Sequence, residues 1–149
     1  MSTILIATDG SAAAEAAVET GVHFASEHGL DVVFVHAYNE IDVYAAPFAP
    51  IVAVPHETID PAEDTPLLSA AEIADSAGVA HEQRLVEGAP VDAILRVAGE
   101  VDAELIVVGS NRHGAVGTVL LGSVSLALLR RARRPVLVVH PTPAPLPVA

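Results

Sequence analysis

Between Gly109 and Ser123 the chain reads G-S-N-R-H-G-A-V-G-T-V-L-L-G-S, with glycines at 109, 114, 117 and 122. Glycine takes positive φ without steric cost and lets backbone approach a ligand closely. A buried strand runs into this loop and a helix leaves it, so backbone N–H groups at the helix start and the helix dipole together favour an anion. Phosphate is the anion such a loop suits. The same glycines also suit a loosened strand–helix connection in which Ser123 caps the helix, and spacing alone does not separate the two.

Other groupings are less productive. The histidines number seven, but His23 and His28 are five apart and do not share a helix face. His36 and His140 close strands, His56 lies in a long loop and His81 on an outer strand. No H-E-x-x-H occurs and there is no cysteine, so no metal-ligand spacing emerges. His113, beside Arg112, is the histidine nearest the glycine loop. Gly122-Ser123-Val124-Ser125 lacks the second glycine of a nucleophile elbow. All seven basic residues are arginine. Without lysine there is no Walker A lysine, no Schiff base and no Ser-Lys dyad.

The totals narrow the class. The 149 residues are one domain's worth, 52% hydrophobic yet 3% aromatic, so the core is built from Ala, Val, Leu and Ile. A formal charge of −12 argues against a nucleic-acid partner. The one basic concentration, Arg130 to Arg134, falls at a helix C-terminus, where cations complement the dipole. No stretch approaches a membrane span, and M-S-T-I-L-I-A-T carries no basic leader. The expectation is a cytoplasmic protein with neither a membrane nor a nucleic-acid partner.

The elements that must position the loop alternate along the chain. Strands are expected at Thr3–Thr8, Asp31–Ala37, Val79–Val86, Glu104–Val108 and Pro135–His140. Helices are expected at Ala12–Glu27, stopped by Gly29, and at Pro61–Ala77, capped by Asp60 and ended by Gly78. Two more run from Pro90 to about Gly99 and from Ser123 to Arg131. Tyr38–Asp60 reads as a long loop, and residues 141–149 as a proline-rich tail after a single domain spanning 1–140. Alternating strands and helices with right-handed crossovers give an open parallel sheet covered on both faces. Ligands of such sheets sit beyond the strands' carboxyl ends where strand order reverses. Thr8-Asp9-Gly10-Ser11 and the Gly109 loop are those ends.

In combination and order, several segments resemble the universal stress protein family along nearly the whole chain. They are Ile4 to Ser11, Gly88-Ala89-Pro90, Leu105 to Ser110, Leu120 to Ser125 and Arg134 to Val139. The resemblance implies a Rossmann-like α/β fold of the adenine nucleotide alpha hydrolase type, with a five-stranded parallel sheet ordered 3-2-1-4-5. It implies ATP, accompanied by Mg2+, as the ligand, and a homodimer paired through Val136–Val139.

Family members that bind ATP share G-x2-G-x9-G-[S/T] after the fourth strand. Gly109 takes the first place here and Gly122-Ser123 the last two, while the second glycine is replaced by Arg112. If that position needs positive φ, the replacement costs about 1 kcal/mol. Arginine is also a planar, multidentate phosphate ligand, so Arg112 either fills the phosphate site or serves it. By the same resemblance Ala7, Thr8 and Asp9 line the base and ribose end with Ala37 beside them. Val108 packs on the nucleotide, and Ser110 and Asn111 offer polar contacts. Ser123 both caps its helix and binds phosphate, with Val124 next to it. Asp9 has a structural role open to it as well, satisfying backbone N–H groups in its turn. Gly88 and Pro90 read as turn geometry.

The functional expectation is an ATP-binding, nucleotide-responsive module of the stress response, at most a slow hydrolase. Its alternative is a protein of the same fold without nucleotide, working through dimerisation and partner contacts.

Overall fold

The computed structural model describes residues 2–38, 60–110 and 121–141. The body of the long loop after Tyr38, the loop positions Asn111, Arg112, His113, Gly114 and Gly117, and the tail beyond Pro141 lie outside the described residues.

Five strands form one parallel sheet: β1 (Thr3–Ala7), β2 (Asp31–Tyr38), β3 (His81–Glu87), β4 (Leu105–Gly109) and β5 (Val136–Val139). Their order is β3-β2-β1-β4-β5, with every pairing parallel. The order expected from the family resemblance is the one observed. β1 is central, and Ile6 lies in register with Phe34 of β2 on one side and Val107 of β4 on the other.

Side-chain alternation divides the core between the two sheet faces. Ile4, Ile6, Phe34 and Val107 pack with one helical layer, α1 (Ala12–His28) and α2 (Thr65–Ser76). Leu5, Val33, Val35, Ile106 and Val108 pack with the other, α3 (Pro90–Glu100) and α4 (Ser123–Arg131). Small side chains let the helices close in. Ala17, Val18 and Ala25 of α1 and Ala70 and Ala74 of α2 are at most 2% exposed.

Local chemistry sets the helix ends. The Ser11 hydroxyl accepts the Ala14 N–H at 3.2 Å to start α1, and Gly29, at φ 65°, stops it. The single helix expected over Pro61–Ala77 is instead two elements. Asp60 caps a short 3-10 turn at Pro61–Glu63, and Asp64 then caps α2 afresh, accepting the Leu67 N–H at 3.0 Å. Pro66 explains the break. It has no N–H for the carbonyl four residues back, and its ring would clash there, so it sits in a first turn instead.

Part of the arginine cluster has a structural use. Arg131 pairs with Asp92 of α3 at 2.8 Å, and Arg134 reaches Asp102 and the Ala103 carbonyl at 3.0 and 2.7 Å. Two of these cations thus hold the α4–β5 connection against α3 and the turn that follows it.

Candidate functional site

Strand order reverses between β1 and β4, and a cleft opens beyond their carboxyl ends. The β1–α1 turn gives it Ala7, Thr8, Asp9 and Ser11, with Ala14 behind them. β2 adds Val35, His36 and Ala37, and β4 adds Val108 and Gly109. Pro90 and Ile94 of α3 and Val124 of α4 close the remaining side. The lining is largely aliphatic, with the polar groups concentrated at the turn, the usual division in a small-molecule site.

The turn's geometry is held by its own side chains. Asp9 accepts the Ser11 N–H at 2.9 Å, and the Thr8 hydroxyl accepts the Gly10 N–H at 3.2 Å. The Thr8 N–H in turn reaches the Val35 carbonyl at 2.9 Å, tying the turn to β2. Gly10 needs its freedom, with φ 79° and an added Cβ only 3.1 Å from Pro66 Cγ. Asp9 therefore has the backbone-satisfying role, while its exposed position leaves it at the cleft surface.

Among the residues singled out from sequence, Ala7, Thr8, Asp9, Ala37, Val108, Gly109 and Val124 line the cleft. Ser110 and Gly122 do not. The buried Ser110 donates its N–H to Val139 and accepts the Gly122 N–H at 2.7 Å, fastening the start of α4 to the end of β4. Ser123 does not cap α4 as expected. Gly122 is the N-cap residue and makes no side-chain cap bond, and Ser123 is the first helical residue, exposed. The nearby hydroxyl that is engaged belongs to Ser125, which donates to the Gly122 carbonyl at 3.0 Å. Among the described residues no side chain caps the first-turn N–H groups of α4. Arg112 is outside the described residues.

Ser11, in the turn where a ligand was expected, also lines the cleft, and so do Ala14, Val35, His36, Pro90 and Ile94, which nothing in the sequence marks as ligand-facing. Pro90 shapes a turn, as expected, and also walls the cleft. His36 was passed over because nothing in its neighbours reveals a partner 28 residues away. Its Nδ1 lies 2.9 Å from Asp64 Oδ2.

The sequence profile of the Universal stress protein family matches residues 1–140. The chain belongs to that family. A universal stress protein of Thermus aquaticus is 37% identical over 140 residues, covering 93% of this chain and 98% of its own length. Another, from Mycobacterium tuberculosis strain H37Rv, is 32% identical over 153 residues, covering 94% and 97%. Some mycobacterial relatives are longer, and this chain spans 44% of their length at 31% identity. Among solved structures, a universal stress protein in complex with cAMP superposes with TM-score 0.68 at 32% identity, covering 95% of this chain and 98% of that one. One from Archaeoglobus fulgidus in complex with dAMP gives TM-score 0.66 at 26% identity, covering 93% and 97%.

Among the described residues no helix is long and apolar enough to cross a membrane, and no group of three or more His, Cys, Asp or Glu is placed to hold a metal.

Proposed function

We propose that this chain binds an adenine nucleotide, ATP first, in the cleft between β1 and β4, and acts in the cytoplasm as a nucleotide-responsive module of stress response. The observation that carries the reading is the cleft itself. A largely aliphatic cleft lies at the strand-order reversal, with Val124 from the first turn of α4 in its wall. That helix start suits phosphate through its N–H groups and dipole. The two relatives in complex with cAMP and dAMP support the same ligand class. Mg2+ arrives with the phosphates in this reading. The role assigned is regulatory, with hydrolysis slow at most.

Calorimetric titration with Mg-ATP at near-physiological salt tests this. Saturable heat below millimolar nucleotide is expected, and no heat at millimolar nucleotide sinks the reading. Arg112 favours the second reading, a protein of this fold that has lost nucleotide. Arg112→Ala losing affinity about tenfold marks the guanidinium as a phosphate ligand, whereas Arg112→Gly gaining affinity marks it as an obstruction.

The same proposal includes a homodimer through β5. Val136–Val139 is a half-buried edge strand, and edges of this kind need covering. Leu126 and Leu129 of α4 are 38% and 46% exposed. Light scattering at micromolar concentration is expected to give twice the mass of one chain; the mass of one chain contradicts the dimer.

A further inference from the structure

We infer that a second hollow, between α1 and α2, binds an ammonium group carried on an aliphatic stem. Its volume is about 340 Å³, the size of a small-ligand site. The cleft is walled largely from the α3–α4 side of the sheet, by Val35, Ile94, Val108 and Val124. This hollow lies on the other side, against the core that Val18 and Ala70 help to build.

Its lining has two parts. Val18, Ala70 and Ile73 give an aliphatic floor, with Val18 and Ala70 at most 2% exposed. Around them stand the carboxylate of Glu15 on α1 and the hydroxyls of Thr65 and Ser69, one turn apart on α2, all on exposed residues. Thr8 and Asp9 also reach the hollow but hold N–H groups of the β1–α1 turn. Glu15 is the carboxylate placed to meet a ligand.

The surrounding charge has one sign. Before Arg84 the chain contains no lysine or arginine, while α1 and α2 expose Glu15, Glu19, Glu27, Glu72 and Asp75. Two helix N-termini converge here, and their partial positive charge works the other way. Those ends are already answered. Ser11 and Asp64 accept the Ala14 and Leu67 N–H groups, and Glu15 itself stands in the first turn of α1. A full carboxylate charge outweighs the half-charges that remain.

A divalent cation would need oxygen ligands on most sides and gains nothing from an aliphatic floor. A guanidinium is served best by a planar carboxylate fork, whereas separate oxygens from two helices suit the rotatable donors of an ammonium. The stem's methylenes then cover the floor, as they do along a lysine. The chain has no lysine, so a second copy has no such side chain to offer. The sources are a free polyamine and a lysine of another protein.

Calorimetric titration of the nucleotide-free full chain tests this, at near-physiological salt that screens the diffuse field of a −12 charge. Spermidine is expected to bind one-to-one with a midpoint below about 1 mM. It is also expected to shift the backbone amide resonances of Glu15, Ser69 and Ile73. Glu15→Gln is expected to weaken binding about tenfold. Ser69→Leu, which fills the hollow without changing charge, is expected to weaken it at least as much. Glu19→Gln removes the same charge one turn along α1, outside the hollow, and is expected to change affinity less than about twofold. Nα-acetyl-lysine methylamide separates the sources: tighter binding than spermidine marks a partner's lysine, weaker binding a free polyamine.

No saturable heat with either amine overturns the inference. So does binding that Glu15→Gln and Glu19→Gln weaken equally, the mark of a diffuse field. Complete displacement of spermidine by an equal concentration of Mg2+ marks a hard-ion site and overturns it too. If Ser69→Leu does not fold, the wild-type amide shifts and Glu15→Gln decide. None of these outcomes depends on whether the cleft binds a nucleotide.

Discussion

Gly109→Ala is expected to lower the melting temperature by about 6–12 °C in the absence of any ligand. A Cβ at this position would sit 2.5 Å from both the carbonyl carbon and oxygen of Ala13 and 2.8 Å from the Ala14 nitrogen. These are backbone atoms of α1 and cannot rotate aside. α1 is pinned at that end by its Ser11 cap, and β4 is held between β1 and β5, with Gly109 in register with Val139. Overpacking between rigid elements typically costs 1–3 kcal/mol, and contacts this short place the loss near about 3 kcal/mol. For a domain of this size that corresponds to roughly 2–4 °C per kcal/mol. Gly99→Ala in α3 is the control. An added Cβ there meets nothing within 4 Å, and alanine raises helix propensity, so a gain of about 0.5–1 kcal/mol is expected. Thermal melts followed by circular dichroism read both. A Gly109→Ala midpoint within 2 °C of wild type would mean that β4 and α1 do not approach this closely.

That result separates two meanings of one glycine. In sequence, Gly109 opens a loop suited to phosphate, and a glycine that admits a ligand looks no different from one that admits a helix. The built Cβ distinguishes them: the close neighbour is α1, so the side chain is excluded with or without nucleotide. Four strands were legible as short runs rich in Val, Ile and Leu, β3 (His81–Glu87) only by its alternation, and their order followed from the family resemblance. The helix over Pro61–Ala77 was misread because Asp60 and Asp64 both make sound caps, each with a proline in the first turn after it, and choosing between them needs the steric effect of Pro66. At the cleft, Ala7, Thr8, Asp9, Val108 and Gly109, singled out from sequence, lie at the carboxyl ends of β1 and β4 or in the turn just beyond β1. His36 and Asp64 escaped notice because their bond joins residues far apart in sequence. Ile94 reads in sequence only as one of several apolar positions on α3. Ser123 shows the reverse limit. Serine after glycine at a helix start reads as a cap, yet the chain places Gly122 at that position and leaves the hydroxyl one residue inside.

Phe34→Ala carries the larger stability loss, about 3–5 kcal/mol, or roughly 6–20 °C in melting temperature. Phe34 is fully buried on β2, between Ile6 and Gln83 in register. It fills the space between the sheet and the α1–α2 layer in a core otherwise made of Ala, Val, Leu and Ile. Truncation leaves a void that these branched, rotamer-fixed neighbours fill only in part. One neighbour offers partial relief. The Phe34 ring centroid lies 5.8 Å from that of His81, whose Nε2 is bonded to Asp75 at 2.8 Å while its buried Nδ1 has no partner. A cavity beside an unpartnered nitrogen can hold a water that satisfies it. The loss from Phe34→Ala should therefore shrink by about 1 kcal/mol relative to the same change made in a His81→Phe background, where no polar atom rewards hydration. Phe34→Leu, which keeps most of the volume, is expected to cost about 1–1.5 kcal/mol. Denaturant unfolding of the four proteins in the cycle measures the coupling. Equal losses in both backgrounds would show that the cavity stays dry, and that burying His81 Nδ1 is a cost the fold carries whatever stands at position 34.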